Sequence, residues 1–399
     1  MMLNANVSPW PNYNLEEIEA VAAVLRSNRV NYWTGSECRS FETEFAQWIG
    51  VEKAIALANG TVALDLALHG LKIGSANGGS AEDEVIVTPR TFIASVSSVI
   101  NAGARPVFAD VEAESGNISV DTIQTVATRQ TRAIVVVHLA GWPADMDPIM
   151  AFAGANGIKV IEDCAQAHGA NYKGRQVGSI GHVGAWSFCQ DKIMTTGGEG
   201  GMVTTNDLDC WSRMWSFKDH GKSWAAVYER QHPPGFRWLH ESFGTNWRMM
   251  EMQGAIGRIQ LRRMAETTAR RSEIAARICA TLDSYPSVIQ VPLPGEAIIH
   301  AFYRLYAFVR PSGLKEGWTR DRIVTTAVAK GAPLYQGTCS EVYLEKAFDN
   351  TPFRPEPHLP VAHQLGETSL MFLTHPTLTD SEVSQVCDIV ATILDEASI

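Results

Sequence analysis

Short apolar runs alternate with helix-length segments along the first half of the chain. Runs at 54–58, 85–88, 106–110, 133–138, 159–163, 185–189 and 202–205 have strand length, and most are separated by enough residues to hold a helix. This repetition predicts an α/β fold with a mostly parallel central sheet flanked by helices on both faces. Ahead of it, residues 14–28 place apolar positions at helical spacing behind acidic first-turn residues, which predicts a helix followed by a turn over 30–35. From Trp247 to about Leu282 the period is again helical, and the arginines at 258, 262, 263, 270 and 271 are expected to form a solvated face. The remainder holds a strand-like run at 302–309, a helix at 321–329, a Pro/Gly-rich loop at 332–337 and a final helix from Asp380. The pattern therefore predicts a large domain over 1–265, including the 14–35 helix and turn, and a smaller α+β C-terminal domain over 266–399.

Composition narrows the class of function. A chain of 399 residues with 45% apolar residues can bury a large core. A net charge of -10 and the lack of a Lys/Arg-rich stripe argue against nucleic acid as a partner. The N-terminus carries no positive leader, and no stretch approaches the roughly 18 apolar residues of a membrane span. The expected location is cytoplasmic, away from membranes. Seven scattered cysteines without a CxxC pair suggest neither a disulfide framework nor structural zinc, and no metal is expected.

The polar residues gather just after the predicted strands, where open α/β sheets bind ligands. Lys192 is followed by the cluster Gly197-Gly198-Glu199-Gly200-Gly201. A lysine that forms and exchanges a Schiff base needs such a pliable backbone beside it, although a solvated loop lysine reads the same way. Asp163 ends an apolar run; buried, it needs a cation such as the pyridinium nitrogen of pyridoxal phosphate, or else it is a helix N-cap. Asn59-Gly60-Thr61 opens an apolar helix whose free N–H groups suit a phosphate, and equally suit an ordinary turn. Ser187 could add a hydroxyl there, Gln166 could contact the ring, and Phe92 could stack on it or belong to the core. His168 is expected to be packed. For a substrate, the turn with Tyr32 and Trp33, together with Arg90, the 228–241 loop carrying Arg237 and His240, and Tyr335 offer stacking surface and cations; the loop could instead be a hairpin packed on a partner.

In order and spacing, NGTVALDLAL, PVFADV, IEDCAQAHGA, VGSIGHVGAWSF, Lys192 and GGEGGMVTTND resemble the DegT/DnrJ/StrS family of sugar aminotransferases, and FGTNWRMMEMQGAIGRIQL extends the likeness over nearly the whole chain. The resemblance implies the fold type I architecture of aspartate aminotransferase, with pyridoxal 5'-phosphate as cofactor, passing through pyridoxamine 5'-phosphate. It implies that Lys192 holds the cofactor and moves the proton, and that Asp163 pairs with the pyridinium nitrogen. Gly60, Thr61 and Ser187 would bind phosphate, with Phe92 and Gln166 flanking the ring. It further implies a homodimer with shared active sites, Asn246 reaching the phosphate of the neighbouring subunit. The implied reaction moves an amino group from an amino acid, L-glutamate in most relatives, to a ketosugar carried on a nucleotide. A branch with histidine at the lysine position performs dehydration, so Lys192 favours transamination. An aminocyclitol ketone as acceptor, dehydration on the same scaffold, and a catalytically silent relative are the alternatives. Asn59 stands where the family has serine, and PLYQGTCSEVYLEKAF where many members read PLHxxPxY, so substrate contacts there do not transfer.

Overall fold

The computed structural model describes residues 7–232 and 237–399. All seven predicted runs are strands of one sheet, in spatial order Lys53–Leu57, Gly201–Thr205, Val183–Ser187, Lys159–Asp163, Thr131–Val137, Glu84–Val87 and Arg105–Phe108. Gly201–Thr205 runs antiparallel to both its neighbours, and the remaining pairs are parallel. The central runs are continuously apolar because helices cover both faces; Ala133 to Val136 are fully buried. Parallel pairing sets Val137, Asp163 and Ala185 side by side, so the segments that follow these strands leave from one edge. Among the described residues no helix is long and apolar enough to cross a membrane.

Leu15–Ser27 forms the predicted first helix, closed by a reciprocal capping box between Asn14 and Glu17. A second helix, Glu37–Ile49, was not anticipated from the pattern. Phe41, Phe45 and Ile49 recur at one-turn spacing and are buried, so the signal was present within a short segment. The segment expected as one long helix is two, Glu251–Arg262 and Met264–Leu282, divided at Arg263. Four of its arginines behave as expected at the surface: Arg258 binds Glu37 and Glu44, Arg262 and Arg263 bind Glu16, and Arg270 binds Asp380. Arg271 corrects the expectation. It lies on the same stripe as buried Ile274, Ala275 and Ile278 and is itself fully buried, its guanidinium 5.2 Å from the Trp10 ring centroid. Burial pushes its pKa down to about 9, with the charge of Arg304 adding to the effect.

The C-terminal part builds a four-stranded antiparallel sheet in the order Ile289–Gln290, Arg304–Val309, Ser369–Leu373 and Leu334–Tyr335, with Arg320–Ala329 and Asp380–Ala397 packed on it. The first described residues also dock here. Val7 packs on this core, Ser8 N–H donates to Glu382 Oε1 at 2.5 Å, and Thr377 Oγ1 donates to the Pro9 carbonyl at 2.9 Å.

Candidate active site

The strand Val183–Ser187 ends in a loop that returns as Gly201–Thr205. The return bend holds Gly197 at φ +88° and Gly198 at +122°, conformations that side chains with a Cβ rarely adopt. Gln190 N–H donates to the Gly198 carbonyl at 3.0 Å and Phe188 N–H to that of Gly200 at 2.8 Å, closing the loop around Lys192. From outside, Trp10 Nε1 donates to the Lys192 carbonyl at 2.8 Å, and Gly197 N–H donates to the Tyr13 hydroxyl at 3.1 Å. The N-terminal strap therefore fixes the lysine loop, a contact across more than 180 residues that local pattern does not encode.

The Lys192 side chain is largely buried, with Nζ 5.2 Å from the Tyr303 ring centroid and 3.8 Å from Asp191 Oδ1. Tyr303 donates its hydroxyl to Asp191 Oδ2 at 2.5 Å. Burial opposes the ammonium form, but the negative potential of Tyr303, Asp191, Cys189 and Asp163 outweighs it and holds the pKa above the ordinary lysine value.

Asp163 is 5% exposed at the end of its strand. Its Oδ2 accepts from Ser95 Oγ at 2.8 Å and its Oδ1 from Ala165 N–H at 3.1 Å; Ser95 Oγ lies 2.8 Å from Thr91 Oγ1. The next residues form turns, so Asp163 caps no helix. Among the described residues no cation lies within 4 Å of it, and burial raises its pKa. A carboxylate oriented by two hydrogen bonds, with the charge of Lys192 nearby but not in contact, is suited to a cationic ligand. Ser95 escaped the sequence reading because a serine in a helix carries no mark of what it orients. Close by in the chain, Phe92 leaves its ring 67% exposed, and Gln166 Oε1 accepts from Ala140 N–H at 2.7 Å, which fixes its amide. His168 is core as expected: it is fully buried beside Trp186 and Phe188, with a pKa driven down to about 3 by burial.

The anion end lies at the first turn of Gly60–Gly70. Asn59 is its N-cap, accepting from Val62 N–H at 3.0 Å, which leaves the N–H groups of Gly60 and Thr61 without helical partners. The substitution of asparagine for serine thus preserves the cap. Gly60 lies against Ser187: a Cβ added to it would stand 2.5 Å from Ser187 Cβ. This close approach brings the Ser187 hydroxyl to the helix start. Gly60→Ala is expected to push the two segments apart and weaken phosphate retention by roughly tenfold or more, measured as the cofactor dissociation constant. A helix start, an oriented carboxylate, an uncovered phenyl ring and a buried lysine together fit pyridoxal phosphate.

The six residues expected to meet substrate fare unevenly. Tyr32 is 2% exposed, donates to Glu42 Oε2 at 3.0 Å and carries Lys218 Nζ 3.7 Å from its ring centroid. Arg90 is buried as well. It is 1% exposed in the seam between the domains, its Nη1 donating to Ser340 Oγ at 2.7 Å beside Tyr306 and Phe308. The apolar neighbours that make a tyrosine or arginine buryable come from distant segments, so sequence could not reveal either fate. Trp33 is half-buried, with Nε1 donating to Asp219 Oδ2 at 2.9 Å. Tyr335 is half-buried in the small sheet, and Arg237 and His240 are exposed. Residues 233–236 of their loop lie outside the described residues. Asn246 is also exposed, and its segment adjoins the phosphate turn through the bond from Ala58 N–H to the Trp247 carbonyl at 2.9 Å.

Residues 11–391 match the DegT/DnrJ/EryC1/StrS aminotransferase family. The chain is 34% identical to GDP-perosamine synthase of Escherichia coli O157:H7, covering 95% of both proteins. It is likewise 34% identical to dTDP-3-amino-3,4,6-trideoxy-alpha-D-glucose transaminase of Streptomyces venezuelae, over 93% of this chain and 90% of that one. The solved aminotransferase from Psychrobacter cryohalolentis superposes with a TM-score of 0.95 at 58% identity, covering 98% of this chain and 99% of the other. The chain belongs to the DegT/DnrJ/EryC1/StrS aminotransferase family and is a transaminase that uses pyridoxal phosphate.

Proposed function

We propose that this transaminase moves an amino group from L-glutamate to a ketosugar carried on a nucleotide, in amino-sugar biosynthesis, with Lys192 and Asp163 as its catalytic pair. The observation that carries this reading is the placement of Lys192, Asp163 and the Gly60 helix start beyond one sheet edge. Relatives named for GDP- and dTDP-linked sugars support the acceptor class.

When bound, pyridoxal phosphate supplies an electron sink for the carbon that loses its proton. The chain's residues do the rest. Gly60, Thr61 and Ser187 would receive the cofactor's phosphate, Asp163 would offer its negative charge to the pyridinium nitrogen, and Phe92 and Gln166 would hold the ring's orientation. Lys192 Nζ, once neutral, takes a proton from the donor's α-carbon and later delivers one to the sugar carbon that gains nitrogen. Its raised pKa keeps Nζ protonated to higher pH, so the neutral form is gained later on the pH scale than by an ordinary lysine. Asp191→Asn removes a negative neighbour and is expected to move the pH profile of cofactor capture by the apoenzyme to lower pH. An unmoved profile would show that Asp191 does not govern the lysine.

We also infer a homodimer with shared sites. Phe243 is 99% exposed, Trp238 74% and Met250 52%, and all three belong to the stretch of chain that carries Asn246. Such apolar side chains in one segment favour a protein partner. Mixing inactive Lys192→Ala with inactive Asn246→Ala chains should then restore part of the activity, since one hybrid site is whole. The acceptor is tested by following discharge of the pyridoxamine form with nucleotide-linked 3-keto and 4-keto sugars against inosose. Discharge by inosose alone would overturn the nucleotide-sugar assignment.

A further inference from the structure

Away from the cleft, three side chains with metal-ligating atoms converge on the smaller domain. Glu341 follows the strand Leu334–Tyr335 in the chain, His358 precedes the helix Pro360–Thr368, and His363 lies in that helix's first turns. Glu341 Oε1 is 2.8 Å from His358 Nδ1, and Oε2 is 2.9 Å from His363 Nδ1. One ligand atom from each residue falls within 4.8 Å of the others. The carboxylate is 11% exposed and anchored by the Tyr343 hydroxyl, which donates to Oε1 at 2.7 Å. Tyr343 in turn accepts from Leu359 N–H at 3.0 Å. Both imidazoles stay more than half exposed, so the outward side is open.

Two imidazole nitrogens and one carboxylate converging on one point form a donor set that suits the zinc, cobalt and nickel class more than calcium or magnesium. We propose that Glu341, His358 and His363 form a divalent transition-metal site, with solvent completing the coordination. Ligand bonds of about 2.0–2.2 Å require the donor atoms to spread by a few tenths of an ångström, which the exposed rings can accommodate. Tyr343 acts as the outer partner that orients the carboxylate. Asp110 adds negative charge nearby, accepting from the Val361 and Ala362 N–H groups at 2.9 Å.

The buried group His138, Glu162 and Cys164 meets the same distance criterion, but its carboxylate is held by the backbone N–H groups of Gly178, Ile180 and Gly181 as well as by His138, and all three residues are fully buried with no side open to solvent.

The proposed site also has a structural reach. Val342 N–H donates to the Pro89 carbonyl at 2.9 Å, and Ser340 Oγ accepts from Arg90 while donating to the Ala362 carbonyl at 2.5 Å. An ion joining Glu341 to the helix start would therefore stiffen the seam that backs residues 89–92. The inference stands apart from the transfer chemistry, and its failure would leave the active-site reading intact.

The test titrates metal-free holoenzyme with cobalt(II), whose visible absorption reports its ligands, and then adds zinc to displace it. We expect one cobalt per chain, displaced by zinc. Glu341→Gln, His358→Ala and His363→Ala should each weaken binding by more than roughly tenfold, the scale set by loss of even an outer partner. Cys339→Ser, which removes the exposed thiol nearby, should leave it unchanged. Zinc should also raise the melting temperature of the wild type and not of His363→Ala. Absence of stoichiometric binding, equal binding by His363→Ala, or loss of the signal in Cys339→Ser would overturn the proposal.

Discussion

Lys192→Ala is expected to abolish transamination, lowering kcat by at least about 10⁴-fold, because one side chain both anchors the cofactor and carries the proton. The variant should still fold. The loop is held by backbone bonds, the Lys192 carbonyl to Trp10 and Gln190 to Gly198, which alanine preserves. The loss should therefore appear in turnover and in the cofactor's absorption with little change in melting temperature. A variant that transaminated at the wild-type rate would remove Lys192 from the mechanism.

Asp163→Asn carries the second largest expectation. Removing the charge opposite the pyridinium should lower kcat by roughly 10²–10³-fold, the scale of losing one preorganised electrostatic contact. The same change should affect cofactor-free protein in the opposite sense. Burial raises the Asp163 pKa in the folded state, so its ionised form costs stability above that pKa. This cost disappears as pH falls through the raised pKa toward the ordinary carboxyl value. The apoenzyme should thus gain stability on acidification through that window, while cofactor affinity falls as the carboxylate is protonated. Asp163→Asn should flatten both pH dependences and stabilise the apoenzyme at neutral pH, measured by thermal unfolding with and without cofactor. A site that adds function at the expense of folding stability is a common compromise.

The strands and the polar turns that follow them were legible in the sequence because their causes are local. Continuous apolar runs buried on both faces, a capped helix start at Asn59 and a polar residue just past a strand each leave a mark within about ten residues. What escaped depends on distant partners. Arg271 looks like any charge on an arginine-rich helix until Trp10 and Phe302 cover it. Ser95 looks like a helix serine until Asp163 arrives opposite. Nothing local marks that Tyr32 and Arg90 are buried, the one against Lys218 and the other against Ser340. The helix Glu37–Ile49 differs: its aromatic spacing was readable, and it was masked by the short stretch between the turn and the first strand.

Borohydride reduction of the holoenzyme, followed by peptide mapping, tests the central claim most directly. Reduction fixes the cofactor to the amine that holds it. The pyridoxyl group should appear on the peptide containing Lys192 at one per chain and be absent from Lys192→Ala; labelling of another lysine, or undiminished labelling of the variant, would contradict the account.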